Sequence, residues 1–364
     1  MPIENINNQF IETDGADVKR IKCSSCGSNM KFDPNSQCLY CEHCDNKIDF
    51  AKNVKAEEID IRTSLSSSVK WSAEDTVVFS CDNCGAKVVL QKSETAKSCP
   101  FCGTAHVRQS DELAGLKPNA LIPFTFDSDK ALEYSKSWAR KRLYAPIDFK
   151  KKLNADNIKG VYAPCFTFDS QTISYYHGRI GTTHTRTVGS GKNRRVEHYT
   201  VWRTISGTFC RDYDDLLITA GSKFSQKELD KISPYRTNES TVYEENYLLG
   251  FMAYHYDSEL IDCWNDAKNI IDRNIRSGIL SQYVYDKVAY LNVSTTHNNV
   301  TYKYVMLPVY VGNFKYRKKL YNFFVNGSTG KVNGKTPKSI WKILATIFGV
   351  MAVFVGVALF VMYT

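Results

Sequence analysis

IKCSSCGSNMKFDPNSQCLYCEHCDNKIDF (residues 21–50) and FSCDNCGAKVVLQKSETAKSCPFCGTAHV (residues 79–107) carry the same punctuation. Each holds two C-x-x-C pairs with fourteen residues between them: Cys23 and Cys26 with Cys41 and Cys44, then Cys81 and Cys84 with Cys99 and Cys102. Gly27 and Gly85 follow the first pair of each copy, so the spacing is an internal repeat. A C-x-x-C turn aims two thiolates at one point, and two such turns close a tetrahedron of zinc–sulfur bonds about 2.3 Å long. Four sulfurs leave no position for water. Both sites are therefore read as structural Zn²⁺ ribbons, rather than as reactive dithiols, which occur singly and beside a βαβ pattern. Cys38, Cys41 and Cys44 are equally spaced, and the second copy selects Cys41 and Cys44, leaving Cys38 in the incoming strand. His43 lies inside a knuckle and is expected to be exposed.

Twelve cysteines in 364 residues fit this reading, because the first residues, MPIENINNQF, have neither the basic nor the apolar region of a secretory signal. At the other end, ILATIFGVMAVFVGVALFVMY (343–363) has no charge and no proline. About 20 such residues cross a hydrocarbon core as a helix, so 340–363 is expected to be a transmembrane helix. From Lys287 onward there are ten Lys or Arg and no Asp or Glu. Basic residues stay on the cytoplasmic side. The expectation is a single-pass, tail-anchored protein of the cell membrane with its N-terminal body in the cytoplasm. The same basic segment would rest on anionic lipid. The net charge of +9 is uneven: residues 1–110 hold 13 basic against 15 acidic side chains. Four-thiolate zinc sites make that part more negative still, which disfavours nucleic acid as a partner of the ribbons.

Between the ribbons and the tail the chain reads as one mixed domain, giving an α+β class with two N-terminal four-cysteine ribbons and a single C-terminal transmembrane helix. The boundaries are 1–20 disordered, 21–50 ribbon 1, 51–75 a serine-rich linker, 76–110 ribbon 2, 120–337 the α+β cytoplasmic domain and 340–363 the membrane helix. LIPFTF reads as a strand, and Asp127 or Ser128 as the cap of a helix through ALEYSKSWARKRL. GVYAPCFTFDS reads as another strand, followed by a long hairpin turning at GSGKN (189–193). SQKELDKI is a short helix. Leu260, Trp264, Ala267, Ile271 and Ile275 recur at helical spacing, with Gly278 placed to end that helix. VTYKYVMLPVYVGNF, KYRKKLYNFFV and GKV are strands, with a turn at Asn326-Gly327.

GSGKN and Gly334-Lys335-Thr336 are not phosphate loops, since Arg186 and Thr329 stand where the first glycine is needed. The histidines form no H-E-x-x-H and no Ser-His-Asp pattern is present, so no catalytic or cofactor-binding residue is assigned and no enzyme is expected. Asp212, Asp214 and Asp215 read as a solvated turn, and Cys165, Cys210 and Cys263 as buried packing residues. In the tail, Ala345, Gly349, Ala352 and Gly356 share one helical face.

The paired ribbons, GVYAP, VWRTISGTF, YDDLLITAG, YLLGF, LPVYVGNF and FFVNGSTGKVNGKTP, followed by a membrane tail, resemble a family of membrane-anchored TFIIB-type zinc-ribbon proteins of Gram-positive bacteria. Its members are often labelled primosomal protein N′ (replication factor Y)-like helicases. The likeness runs over most of the chain and carries the eight ribbon cysteines position by position. It implies partners of the phage-shock or SPFH type in a membrane-stress module, and no catalytic residue. The expected function is a membrane-tethered adaptor that recruits a protein to the cytoplasmic face. The alternative is a nucleic-acid-binding ribbon protein, for which the hairpin basics Arg186, Lys192, Arg194 and Arg195 are the candidate contacts.

Overall fold

The computed structural model describes residues 22–49, 54–64, 76–91, 99–104, 107–110, 116–151, 158–191, 194–316 and 319–363. The segment expected to be disordered, 1–20, lies outside them, as do 51–53 and 65–75 of the expected linker.

Ribbon 1 is a small antiparallel sheet of β1 (Met30–Asp33), β2 (Cys38–Cys41) and β3 (Lys47–Ile48). Its apolar face is not left to solvent. Phe32 meets Tyr247 and Phe251 edge-on at 5.1 and 6.3 Å, and its N–H donates to Leu249 O at 3.0 Å. The stretch after it, where a free linker was expected, lies against the body in its described part. There β4 (Ile59–Asp60) pairs with a later strand, α1 (Ile61–Ser64) follows, and Ala56 and Ile61 are buried.

Ribbon 2 comprises β5 (Thr76–Cys81), β6 (Lys87–Gln91) and β7 (Val107–Ser110), and its sheet continues into the main one. After it come β8 (Ala120–Leu121), α2 (Ser128–Arg140) and α3 (Ile147–Lys151). LIPFTF pairs only through its first residue, Leu121; the rest is irregular chain that buries Phe124 and Phe126. Asp127 caps α2, its carboxylate accepting from Lys130 N, as expected for an N-cap aspartate.

Two long strands dominate the middle of the chain: β9 (Ile158–Val188) and β10 (Arg195–Thr219). Next come α4 (Gln226–Ile232), opened by a Ser225–Glu228 capping box, β11 (Thr241–Val242), β12 (Met252–Tyr254) and α5 (Leu260–Ser281). The chain closes with β13 (Lys287–Tyr316), β14 (Lys319–Asn326), β15 (Val332–Gly334) and α6 (Ile340–Tyr363). The segments read separately as GVYAPCFTFDS and the outgoing hairpin strand are one 31-residue strand, β9. DYDDLLIT, residues 212–219, is likewise the inner end of β10.

At its base β9 is sandwiched between β13 and β12, with β12 parallel to it through Val161 and Tyr162. Farther out β10 replaces β12, and β9, β10 and β13 leave the body as a three-stranded arm. At about 3.3 Å per residue, β9 has a contour of roughly 100 Å. One face of the arm is roofed by α5. Phe168 meets Trp264 at 5.4 Å, Tyr176 and Tyr283 share a hydrogen bond at 2.6 Å, and Arg276 Nη1 donates to Leu291 O at 2.7 Å. Gly278 does not end α5. The helix runs on to Ser281, and a Cβ at position 278 would stand 2.6 Å from the Phe209 ring, so the glycine serves close packing against β10.

The arm begins at a buried lysine. Opposite β9 residues 168–171, β10 and β13 each carry extra residues, between Tyr213 and Leu216 and between Asn298 and Thr301. Such bulges bend and twist a ribbon. Asp212, Asp214 and Asp215 therefore lie within β10 and at its bulge, not in a solvated turn, and Asp215 has φ of 50°. Its carboxylate meets Lys303 Nζ at 2.7 Å, and Glu58 meets the same ammonium at 3.3 Å. Cys165 and Cys263 are buried as expected, whereas Cys210 is exposed, because it lies on the face of the arm away from α5.

Candidate metal centres and membrane helix

All four knuckles have one backbone geometry. The first cysteine's N–H donates to the carbonyl five residues on: Cys23 to Ser28, Cys41 to Asn46, Cys81 to Ala86 and Cys99 to Thr104. Its carbonyl accepts from the residue four on, Gly27, Asp45, Gly85 or Gly103. That residue has φ between 56° and 71° in every case. Glycine holds this left-handed conformation without steric penalty, and aspartate is among the few other residues that tolerate it.

These turns bring the sulfurs together. Cys23 and Cys44 Sγ are 3.4 Å apart, as are Cys26 and Cys41; Cys81 and Cys102 are 3.6 Å apart, as are Cys84 and Cys99. Within each set the ligand atoms all lie within 4.8 Å of one another. A tetrahedron with 2.3 Å bonds has edges of about 3.8 Å, so the donor sets fit zinc in size as well as in chemistry. Two tetra-cysteine clusters are thus positioned to bind two zinc ions. Cys38 stays outside, its sulfur 2.8 Å from Ser36 Oγ, and His43 is exposed, both as expected. The turns act unevenly on the thiols: Asn46 N–H lowers Cys44, but the neighbouring Cys23 and Cys26 thiols outweigh it and push Cys44 up, and burial raises Cys84 and Cys99. Burial raises Cys23, but N–H groups of Ser25 and Cys26 outweigh it and hold the thiol at about 6. Cys102 is drawn to about 7 against its own burial, by Thr104 N–H and the Asn83 side chain.

The second centre is bonded into the body. Phe101, inside the last knuckle, packs edge-on against Phe224 and Tyr254 at 5.4 and 5.3 Å. Val88 and Val89 pair with Tyr254 and Ala253 of β12, Asn313 Nδ2 donates to Pro100 O at 3.0 Å, and Lys223 Nζ donates to Cys84 O. None of these contacts was visible in the repeat, because each joins residues far apart in sequence.

A third group, Glu58, Asp169 and Asp214, also lies within 4.8 Å. Here Lys303 supplies the positive charge, and a proton supplies more. Burial, and then the neighbouring Glu58 carboxylate, raises Asp169 to about 7. Glu58 is lowered, chiefly by the hydrogen bond from Asp169. A raised folded-state value means Asp169 stabilises the fold fully below the ordinary carboxylate range and loses that contribution as pH rises through about 7. The Glu58 shift has the opposite sign and acts at lower pH. The thermal midpoint of the full chain in detergent is therefore expected to fall between about pH 5 and pH 8. Asp169→Asn should flatten that slope, and an unchanged slope in the variant would assign it to other groups.

Past β15 the chain enters α6, whose 24 residues have no side chain buried against the body. It is the one helix among the described residues long and apolar enough to cross a membrane. A Cβ added at Gly349 or Gly356 would meet nothing within 4 Å, so the helix face they share is open.

Two closed four-cysteine centres on a mixed α+β body, with one helix long and apolar enough to cross a membrane, define the class: a zinc-ribbon protein with a candidate membrane-spanning helix. The chain is 30% identical over 333 residues to the uncharacterized protein YdjG of Bacillus subtilis (strain 168), spanning 90% of this chain and 93% of that one, and it belongs to the same family. No family model matches it, and no solved structure does.

Proposed function

We propose that the protein is a non-catalytic, membrane-tethered adaptor whose body recruits a protein partner to the cytoplasmic face of the cell membrane. The observation that carries this reading is the arm. Its α5-free face sets Ile173, Tyr175, His177 and Arg179 of β9 beside Tyr290 of β13, with Tyr175 63% exposed. An extended sheet face of aromatic and polar side chains suits recognition of another protein better than enclosure of a small substrate. The ribbons are closed and serve as structural clips, and the basic run after Lys287 favours an inside body. The resemblance to membrane-anchored TFIIB-type ribbon proteins points to SPFH or phage-shock-type partners in a stress response.

The test is affinity capture of the full chain from solubilised membranes, compared with Ile173→Glu/Tyr175→Glu and with a chain lacking both ribbons. A specific partner lost from both variants is expected. A partner set unchanged by either removes the reading.

A second reading rests on the outer half of the arm, where Arg179 lies over Trp202 at 5.8 Å and Arg186 over Tyr199 at 5.7 Å. Arginine–aromatic pairs on a β-ribbon are a nucleic-acid-binding surface in other proteins, and helicase-like labelling of the resembling family points the same way. A salt-sensitive mobility shift lost in Arg179→Gln/Arg186→Gln would favour it.

A further inference from the structure

The root of α6 is tied to the α2–α3 loop. Ser339 N donates to Tyr144 O at 2.8 Å, and Lys342 Nζ donates to Ala145 O at 2.8 Å and Leu143 O at 3.4 Å. These bonds hold the loop level with the first turn of the helix. Its apolar side chains nonetheless face outward: Leu143 is 69% exposed, Ile147 63%, and Trp341 beside them 82%. A cleft of about 390 Å³ opens next to this patch, between Pro146, Tyr316, Lys319, Tyr321, Lys338 and Trp341. No carboxylate lines it, and neither Lys319 nor Lys338 makes an ion pair among the described residues. Asp148 is the one acid in the 141–151 stretch, against Lys141, Arg142, Lys150 and Lys151 in the sequence.

The position of the patch selects its occupant. At 1.5 Å per residue α6 is about 36 Å long, against a hydrocarbon core of about 30 Å, so the interface falls within about one turn of Trp341. Whatever covers Leu143 and Ile147 must sit in the layer occupied by lipid headgroups. Tryptophan and tyrosine favour that layer, and lysine favours anionic headgroups.

We propose that the α2–α3 loop and the Lys319–Lys338 cleft form a second membrane contact, in which Leu143, Tyr144 and Ile147 dip into the interface and the two ammonium groups hold the phosphate of an anionic phospholipid. This rests on α6 spanning a bilayer. The contact gives the body a second point on the membrane, because a body carried by α6 alone can rotate about the helix axis and one held at two points cannot. The arm, built on the same β13 whose opposite, C-terminal end at Tyr316 pairs with Lys319 of β14, would then leave the membrane at a set angle.

The experiment is hydrogen exchange by mass spectrometry on the full chain in nanodiscs of phosphatidylcholine with and without phosphatidylglycerol. Peptides covering 141–148 and 319–323 are expected to be protected in both, and more strongly with phosphatidylglycerol. Lys319→Gln and Lys338→Gln should each lower the phosphatidylglycerol-dependent part by about fivefold. Leu143→Ser/Ile147→Ser should lose protection in both discs. Equal exchange in the two lipids overturns the headgroup site, and protection restored in phosphatidylcholine discs by inorganic phosphate overturns it in favour of a small-anion site. Alkaline carbonate extraction separates the two levels: a chain released from membranes sinks the anchor and this seat together, whereas a retained chain without lipid-dependent protection sinks the seat alone.

Discussion

Cys99→Ser is expected to lower the zinc content of the purified chain from two ions to one and to loosen the body as well as ribbon 2. Cys99 is buried, its N–H closes the last knuckle on Thr104, and its sulfur faces Cys84 at 3.6 Å. With three thiols left, the site loses most of a binding free energy that in small zinc units is of order 10–16 kcal/mol and is largely folding free energy. The loss does not stop at the ribbon. Phe101 leaves the pocket between Phe224 and Tyr254, a change comparable to a Phe→Ala substitution, worth about 3–5 kcal/mol. The β6–β12 pairing goes with it, so among the described residues β12 keeps only β9 as a strand neighbour. Proteolysis should therefore open sites near 252–257 in addition to 76–110, and the thermal midpoint should drop. Cys38→Ser is the control: that thiol is equally buried and sits three residues from Cys41, yet it lies outside the cluster and the variant should keep two zinc ions. Two ions retained in Cys99→Ser, or one lost in Cys38→Ser, would reassign the ligands.

Both centres were legible in the sequence because their geometry is local. A knuckle is set by six consecutive residues, and the repeat of its spacing removed the ambiguity at Cys38. The Asp127 cap and the α5 stripe were legible for the same reason. What the sequence hid depends on distant partners. The 31-residue β9 carries Asp169-Ser170 near its middle, which reads as a break, but the extra residues are in β10 and β13, and β9 itself runs straight through. Gly278 looks like a helix terminator until Phe209, 69 positions upstream, is packed against it. The α2–α3 loop had a signal of its own, KRLYAPI: basic residues next to outward apolar ones, without helical or strand period, close to where the membrane helix is rooted.

The second large effect is expected at the root of the arm. Lys303 is 2% exposed and carries its charge between Asp215 and Glu58. Burial alone would lower its pKa, but the bond to Asp215 and the charge of Glu58 outweigh burial and raise it, so the ammonium is the favoured form at neutral pH. Lys303→Met keeps much of the side-chain volume and removes the charge. It leaves Asp215 and Glu58 facing each other beside Asp169 without a counter-charge, and breaking such a pair is strongly destabilising, at about 3–5 kcal/mol. Replacing both members with neutral groups is a different case, because the more buried carboxylate is gone and only Glu58, at the more exposed side of the lysine, loses its partner. Lys303→Met/Asp215→Asn should recover more than half of the loss, and asparagine suits position 215 because it tolerates the left-handed backbone found there. With Asp215→Asn as the other single variant, the double-mutant cycle read from denaturant midpoints of the full chain in detergent isolates the pair from the packing change. The single variant should also free the 54–64 segment to protease, since Glu58 and the β4–β13 pairing at Thr301 and Tyr302 flank the same lysine. A single variant within about 1 kcal/mol of the parent, the range of an exposed ion pair, would mean that Lys303 is solvated and that the bulges alone set the arm.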